Sequence, residues 1–228
     1  MERFLFLSIA SLRIEIMPVT MLRQNCMLIW DQGLKKGIVS DPGGDLPLII
    51  QAIEADDIEI QAILLTHGHF DHVGVTTALQ HYLQDKYQKE IPILGPSQED
   101  QFLLDKVQQD VLNFGTKIDN AQNVKPTRFL NDKEKLSFDG INLEVLHVPG
   151  HTPGHIVFYE PKARFMITGD VLFKGTIGRA DFAYGNEGLL IKTIKEKLLP
   201  LGDDIYVLPG HGIGSTIGFE RLNNPFLI

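Results

Sequence analysis

The sequence predicts an α/β fold, and three observations predict it. The chain opens on β-type runs: Arg13-Ile14-Glu15-Ile16 alternates, and Asn25 to Trp30 is strongly apolar, with Gly33 and Gly37 as punctuation before Ile38-Val39. Next, the apolar run Ala62-Ile63-Leu64-Leu65 is followed by Val75, Ala78, Leu79, Tyr82 and Leu83, which keep the spacing of an amphipathic helix. Finally, four strand-like runs each end in a turn-like loop that carries His or Asp.

Each element has its own justification. Phe4 to Ala10 follows a single Arg beside Glu2, and Arg13 and Glu15 come at once, so a secretory signal is not expected. Residues 1–12 read instead as an N-terminal extension that can add a strand. Asp41-Pro42-Gly43-Gly44 is a turn, in which Asp41 reads as a turn residue rather than a ligand. Asp45 can cap a helix whose Leu46, Ile49, Ile50 and Ile53 share a face, and a crossover then delivers the strand at Ala62. Beyond the next helix, Ile91 to Leu94 is a short strand. Ser97 is expected to cap a helix with Leu103, Val107 and Val111 four apart, stopped by Gly115. Strands return at Phe129-Leu130, Lys135 to Phe138 and Ile141 to Val148, the last two joined by a hairpin turn at Asp139-Gly140, and again at Ile156 to Tyr159. Leu190, Ile191, Ile194 and Leu198 mark a last helix, closed by Pro200. The sequence shows no repeat, linker or low-complexity tract, so one domain over residues 1–228 is expected.

The chemistry gathers in the loops. Thr66-His67-Gly68-His69-Phe70-Asp71-His72 packs four metal-ligand types into six positions. Imidazole suits zinc and other borderline metals, and carboxylate adds charge and oxygen ligation, so this stretch can feed two neighbouring ions. A polar surface loop or one structural zinc are the plainer readings. Of the three histidines in His147-Val148-Pro149-Gly150-His151-Thr152-Pro153-Gly154-His155, His151 sits at the loop tip and reads as a ligand. His147 and His155 lie on strands, where a hydrogen-bonded packing role is expected. Asp170 ends the run Ile167-Thr168-Gly169; a lone Gly-Asp is usually a turn and gains weight here from the other ligand-bearing strand ends. His211 stands in Leu208-Pro209-Gly210-His211-Gly212, a strand running into a Gly-rich loop. His81 falls on the polar side of its helix and reads as solvated.

Bulk properties exclude several classes. A formal charge of −8 leaves no broad basic field for a phosphate backbone, so nucleic acid is not expected as a partner. The single cysteine, Cys26, precludes an intramolecular disulfide and fits the reducing cytoplasm; among Met27, Leu28, Ile29 and Trp30 it reads as a buried thiol. No apolar run is long enough to cross a bilayer, so no membrane association is expected. Nothing in the sequence reports an oligomeric state.

In the chain order Thr66-His67-x-His69-x-Asp71-His72, His151, Asp170 and His211, the sequence resembles the metallo-β-lactamase superfamily. Within it, the sequence is similar to the short bacterial branch of the glyoxalase II (hydroxyacylglutathione hydrolase) group, through His151-Thr152-Pro153-Gly154-His155, Thr168-Gly169-Asp170, Pro209-Gly210-His211-Gly212 and Asn224-Pro225-Phe226. The resemblance implies a four-layer αββα sandwich with the metal loops along one edge. It also implies two divalent ions, zinc foremost, with iron or manganese as alternatives. His67, His69 and His151 would hold one, Asp71, His72 and His211 the other, and Asp170 would bridge them, which makes Asp71 and Asp170 the catalytic carboxylates. The implied reaction is hydrolysis of a small-molecule thioester of the S-2-hydroxyacylglutathione type, S-lactoylglutathione, to a 2-hydroxy acid and a thiol through a hydroxide bridging the ions.

Two departures bear on the substrate. Longer glyoxalase II enzymes append a helical region whose basic residues hold glutathione carboxylates, and this sequence shows no counterpart. The family's substrate-contacting Lys is matched in position by Arg179 and its following aromatic by Asp181, so Arg179 is expected to bind substrate, with a surface pair to Asp181 as the plainer reading. Gly178-Arg179-Ala180-Asp181-Phe182 resembles a different reaction class, the persulfide dioxygenases, which would use one Fe(II) on His67, His151 and Asp170. Di-iron electron-transfer relatives usually carry Glu where His69 stands, and the best-known zinc lactamases a Cys where Asp170 stands.

Overall fold

The computed structural model describes residues 5–9 and 11–228; residues 1–4 and 10 of the predicted N-terminal extension lie outside the described residues. Strands β1 (Leu5–Ile9), β2 (Leu12–Val19), β3 (Gln24–Asp31) and β4 (Lys36–Ser40) form an antiparallel meander, so the extension does add a strand. Helix α1 (Leu46–Ala55) then crosses to β5 (Glu59–Leu64), and helices α2 (Phe70–Val73) and α3 (Thr76–Tyr87) lead to β6 (Ile93–Leu94). Both β5 and β6 extend the sheet in parallel. Helices α4 (Gln101–Leu104) and α5 (Val107–Phe114) connect to the second sheet. That sheet contains β7 (Lys135–Phe138), β8 (Ile141–His147), β9 (Ile156–Glu160) and β10 (Phe165–Gly169). A small ladder, β11 (Leu172–Phe173) with β12 (Thr176–Ile177), precedes helix α6 (Glu187–Thr193). Strands β13 (Tyr206–Pro209) and β14 (Ser215–Thr216) complete the second sheet, in the order β14-β13-β10-β9-β8-β7, and α7 (Ile217–Asn223) follows.

Period-two alternation explains how the sheets stack. In β3, Met27 and Ile29 face the second sheet, where they meet residues such as Phe158, Phe165 and Ile167, while Cys26, Leu28 and Trp30 face the helices α1 and α3. In the second sheet Val157, Tyr159 and Met166 point the other way, onto Leu190, Ile194 and Ile217. The result is a four-layer αββα sandwich with three apolar layers. Each fully buried large apolar side chain contributes roughly 1.5–3 kcal/mol, enough in sum to hold a set of polar loops at one rim. Cys26 is fully buried, and burial pushes its thiol well up, as expected of a core residue. Among the described residues, no helix is long and apolar enough to cross a membrane.

Several local expectations change. The spacing of Leu103, Val107 and Val111 predicts one helix, but the segment is a 3-10 turn at Gln98–Asp100 followed by α4 and α5. Ser97 makes no side-chain cap; its hydroxyl donates to the Glu99 carboxylate. Gly115, at φ 72°, does end α5. Asp45 precedes α1 at φ 50° without capping it, because its carboxylate accepts the Thr20 amide at 2.7 Å. Phe129-Leu130 forms no strand; the sheet is touched nearby by a single bridge between Leu94 and Arg128. The predicted last helix runs from α6 through a π turn (Ile194–Leu198) into a 3-10 turn containing Pro200.

Backbone bonds join the two sheets at the rim that holds the ligand-bearing loops. The Asn25 amide donates to the Gly210 carbonyl at 2.7 Å, and the Ile156 amide to the Thr66 carbonyl at 2.8 Å.

Candidate metal centre

Each loop leaves a strand or hairpin at this rim. Residues 66–69 follow β5, Asp71 and His72 lie on the single turn of α2, His151 lies between β8 and β9, and Asp170 and His211 follow β10 and β13. The structure brings all seven expected ligands together. His67 Nε2 and His151 Nε2 each lie 3.0 Å from His69 Nδ1. His211 Nε2 is 3.2 Å from Asp71 Oδ2. Asp170 lies between these groups: its Oδ1 is 3.2 Å from His72 Nε2, and its Oδ2 is 3.6 Å from His151 Nε2 and 3.8 Å from His211 Nε2. His67, His69 and His151 form one set and Asp71, His72 and His211 another, with one donor atom per residue falling within 4.8 Å of the others in its set.

Outer hydrogen bonds fix which nitrogen of each ring faces inward. His151 Nδ1 donates to the Arg179 carbonyl at 2.6 Å, and His211 Nδ1 to the Leu22 carbonyl at 3.1 Å. His72 Nδ1 donates to Asp41 Oδ2 at 3.0 Å. The Thr66 hydroxyl gives its proton to Asp41 Oδ2 at 2.7 Å, so at 3.1 Å it accepts from His67 Nδ1. In four rings the outer nitrogen is therefore held by an acceptor and Nε2 faces inward, the outer-partner pattern that orients metal-binding histidines. His69 is turned the other way, with Nδ1 inward and Nε2 2.9 Å from the Tyr184 hydroxyl.

The donor set fits divalent cations. Lone pairs of His67 and His151 converge on His69 at a spacing that only a cation or a proton between them can satisfy. His72 Nε2 and Asp170 Oδ1 are both buried with no polar partner in hydrogen-bonding geometry, and face each other at 3.2 Å. Gly210 leaves the space open: a Cβ there would stand 2.3 Å from Asp170 Oδ1 and 2.5 Å from His72 Cε1. Burial holds His67 well below the usual imidazole range and pushes His69 down to about 3, so both are neutral and ligand-ready. Burial also works against charge on Asp170 and His72. Their mutual attraction outweighs it, holding Asp170 well below the carboxylate range and raising His72. Asp71 and Asp170 thus make the second set a place that draws positive charge.

Sequence reasoning missed four contributors. Asp41 does sit in a turn, at φ 50°, but its carboxylate is buried and orients His72 and, through Thr66, His67. Asp100 is fully buried between two of the ligand-bearing loops. Tyr184 and the Arg179 carbonyl orient His69 and His151. A carboxylate just ahead of Pro42-Gly43-Gly44 carried the only hint for Asp41, and none pointed to Asp100. His155 has the predicted hydrogen-bonded packing role with an addition: its ring stacks on His67 at 4.5 Å, and its Nε2 accepts the Asp170 amide at 3.0 Å. His147 Nε2 donates to the Pro153 carbonyl at 2.9 Å, and His81 is exposed, both as expected.

Above the donors lies an open cleft of about 670 Å³, walled by Phe70, Phe114, Phe173, Phe182 and Tyr184. Arg179 is at its edge and not among the donors. Its guanidinium lies 4.2 Å above the Phe182 ring and its Nε 3.0 Å from Asp181 Oδ1, so the surface pair exists alongside exposure to the cleft.

Comparison with known proteins adds the family. The model described as "Metallo-beta-lactamase superfamily" matches residues 19–211. Hydroxyacylglutathione hydrolase GloC of Haemophilus influenzae is 45% identical over 217 residues, which covers 95% of this chain and 98% of that protein. The crystal structure of BLEG-1 B3 metallo-beta-lactamase superposes with a TM-score of 0.82 at 32% identity, covering 94% of this chain and 99% of that one. TTHA1623 in a di-iron-bound form gives 0.80 at 32% identity, covering 93% and 99%.

Proposed function

Because the chain belongs to the metallo-β-lactamase superfamily of metallo-hydrolases, we propose that it is a binuclear hydrolase cleaving thioesters of the S-2-hydroxyacylglutathione type, S-lactoylglutathione in particular. The observation that carries the reading is the pair of donor sets with one carboxylate, Asp170, facing both. Identity to a hydroxyacylglutathione hydrolase and similarity to a protein with two bound irons support it. In this reading His67, His69 and His151 hold one divalent ion, Asp71, His72 and His211 hold the other, and Asp170 sets their separation. Zinc, iron and manganese all suit this mixture of imidazole and carboxylate. Two such ions, when bound, would polarise a substrate carbonyl and lower the pKa of a bound water.

The chain's own residues bind and orient. Asp170, held ionised, is an acceptor and ligand, never a proton donor. A thioester releases a thiolate, a good leaving group that needs no strong acid beside it. If His69 presents Nδ1 to an ion, its Nε2–H donates to Tyr184. The Tyr184 hydroxyl proton, whose pKa burial raises to about 12, is then free to donate into the cleft toward a substrate oxygen. Arg179, held over the Phe182 ring, offers a planar fork to a carboxylate of the thiol portion.

The deciding experiment measures thiol release from S-lactoylglutathione with oxygen excluded, with metal analysis of the same preparation. Anaerobic turnover with two ions per chain is expected. Oxygen uptake with a glutathione persulfide, on one iron per chain, would replace hydrolysis with dioxygenation, the reaction suggested by Gly178 to Phe182. Arg179→Ala tests the substrate half of the proposal: KM for S-lactoylglutathione should rise about fivefold, as loss of an interaction worth about 1 kcal/mol implies, with kcat nearly unchanged. An uncharged thioester should be affected much less. Equal losses on both substrates would instead make Arg179 a support of the loop that orients His151.

A further inference from the structure

We propose that Asp100 is a positioning residue that sets the placement of His151 relative to His67 and His69. This rests on the ligand assignment above. Asp100 ends the 3-10 turn after β6, is completely buried, and accepts three hydrogen bonds that reach into two other loops. Its Oδ2 takes the Gly68 amide at 2.9 Å and the Thr152 hydroxyl at 2.7 Å; its Oδ1 takes the Gly154 amide at 2.6 Å. Gly68 is the residue between His67 and His69, and Thr152 is next to His151. One carboxylate therefore ties the first pair of ligands to the third, across 32 residues in one direction and 52 in the other.

The fit around Asp100 is tight. A Cβ on Gly154 would lie 2.5 Å from the Asp100 nitrogen and 2.8 Å from its Cβ and Cγ, so only glycine lets the carboxylate this close. The Ser97 amide adds a backbone bond to the Gly154 carbonyl at 3.0 Å, locking the same two loops. All three donors to Asp100 are uncharged, and burial pushes its acid up to about 6 in spite of them. A buried anion of this kind works against folding at neutral pH, where a neutral side chain would pack at less cost. What it supplies instead is attachment, since Gly68 and Gly154 would otherwise present buried amides without acceptors.

The other ligand set is held by partners other than Asp100. His72 is oriented by Asp41, His211 by the Leu22 carbonyl, and the loop after β13 by Asn25, whose side-chain amide donates to the Pro209 and Gly212 carbonyls at 3.0 and 2.9 Å. Loss of Asp100 should therefore loosen one metal site and spare the other.

The test is zinc affinity measured on the metal-stripped full chain by chelator competition, with the visible spectrum of the Co(II)-loaded protein as a second readout. His151→Ala marks which of the two equivalents belongs to the His67, His69 and His151 set. Asp100→Asn, which keeps shape but sets an amide donor against a backbone donor, should weaken that same equivalent roughly 10–100-fold and alter its Co(II) spectrum. The other equivalent should stay within about twofold, since it has its own outer partners. Thr152→Val removes one of the three bonds and should give a smaller loss in the same equivalent; it carries the test alone if Asp100→Asn does not fold. Equal weakening of both equivalents, or no weakening of either, would overturn the proposal. Retention of both equivalents by His151→Ala would overturn the ligand assignment and the proposal together.

Discussion

Asp170→Ala should lower kcat for S-lactoylglutathione by about a thousandfold or more while the chain still folds. Loss of an outer hydrogen-bond partner of a metal ligand typically costs roughly 10–100-fold, and Asp170 stands closer than that, within 3.2 to 3.8 Å of His72, His151 and His211 at once. No neighbouring carboxylate can replace it. Asp71 is paired with His211, and Asp41 is turned outward to Thr66 and His72 Nδ1. Folding should survive because the side chain sits at the rim and not in the three apolar layers, while removing it also removes a buried charge. The measurements are steady-state hydrolysis, metal content and the far-ultraviolet dichroism of the variant. Turnover within tenfold of wild type would show that Asp170 does not serve both ions. His155→Gln should fall between the two, because His155 holds the Asp170 amide and not a donor atom.

Stripping divalent ions with a chelator should abolish hydrolysis and lower the melting temperature by roughly 10–20 °C, both reversed by adding zinc, iron or manganese. Binding to the folded state at 100 times Kd stabilises by about 2.7 kcal/mol for each site, and a domain of this length shifts by roughly 2–4 °C for each kcal/mol. Two sites emptied in turn should each contribute, giving a biphasic chelator titration. A single phase with one ion per chain at saturating metal would sink the binuclear reading. A melting temperature that ignores the chelator, in protein shown to bind two ions, would mean that the unfolded chain holds them as well.

Much of this protein was legible without coordinates, and the reason is locality. Alternation in β2, the apolar run of β3, the Asp139-Gly140 turn with Gly140 at φ 83°, and the αL stop at Gly115 are decided by the residues themselves and their neighbours. The dense run from His67 to His72 declares metal chemistry in the same way, because few other purposes need four such side chains in six positions. Where local preference met a competing contact, it lost. Asp45 abandoned its helix for the Thr20 amide, and the segment predicted as a helix from Ser97 opens instead as a 3-10 turn ending at Asp100, whose carboxylate accepts from Gly68, Thr152 and Gly154.

The outer partners of the site belonged to tertiary structure alone. Asp41 reaches His72 across 31 residues, Asp100 reaches Thr152 across 52, and Tyr184 reaches His69 across 115. Nothing in the composition around an isolated Asp or Tyr distinguishes such a role from a turn or a surface position. The αββα closure decides it. By packing two sheets face to face it brings four strand-end loops to one rim, and only there does burial turn these side chains into fixed hydrogen-bond partners. The sequence alone pointed to residues of metal-ligand type; the fold decided which nitrogen of each ring faces inward, because that depends on an acceptor supplied by a distant part of the chain.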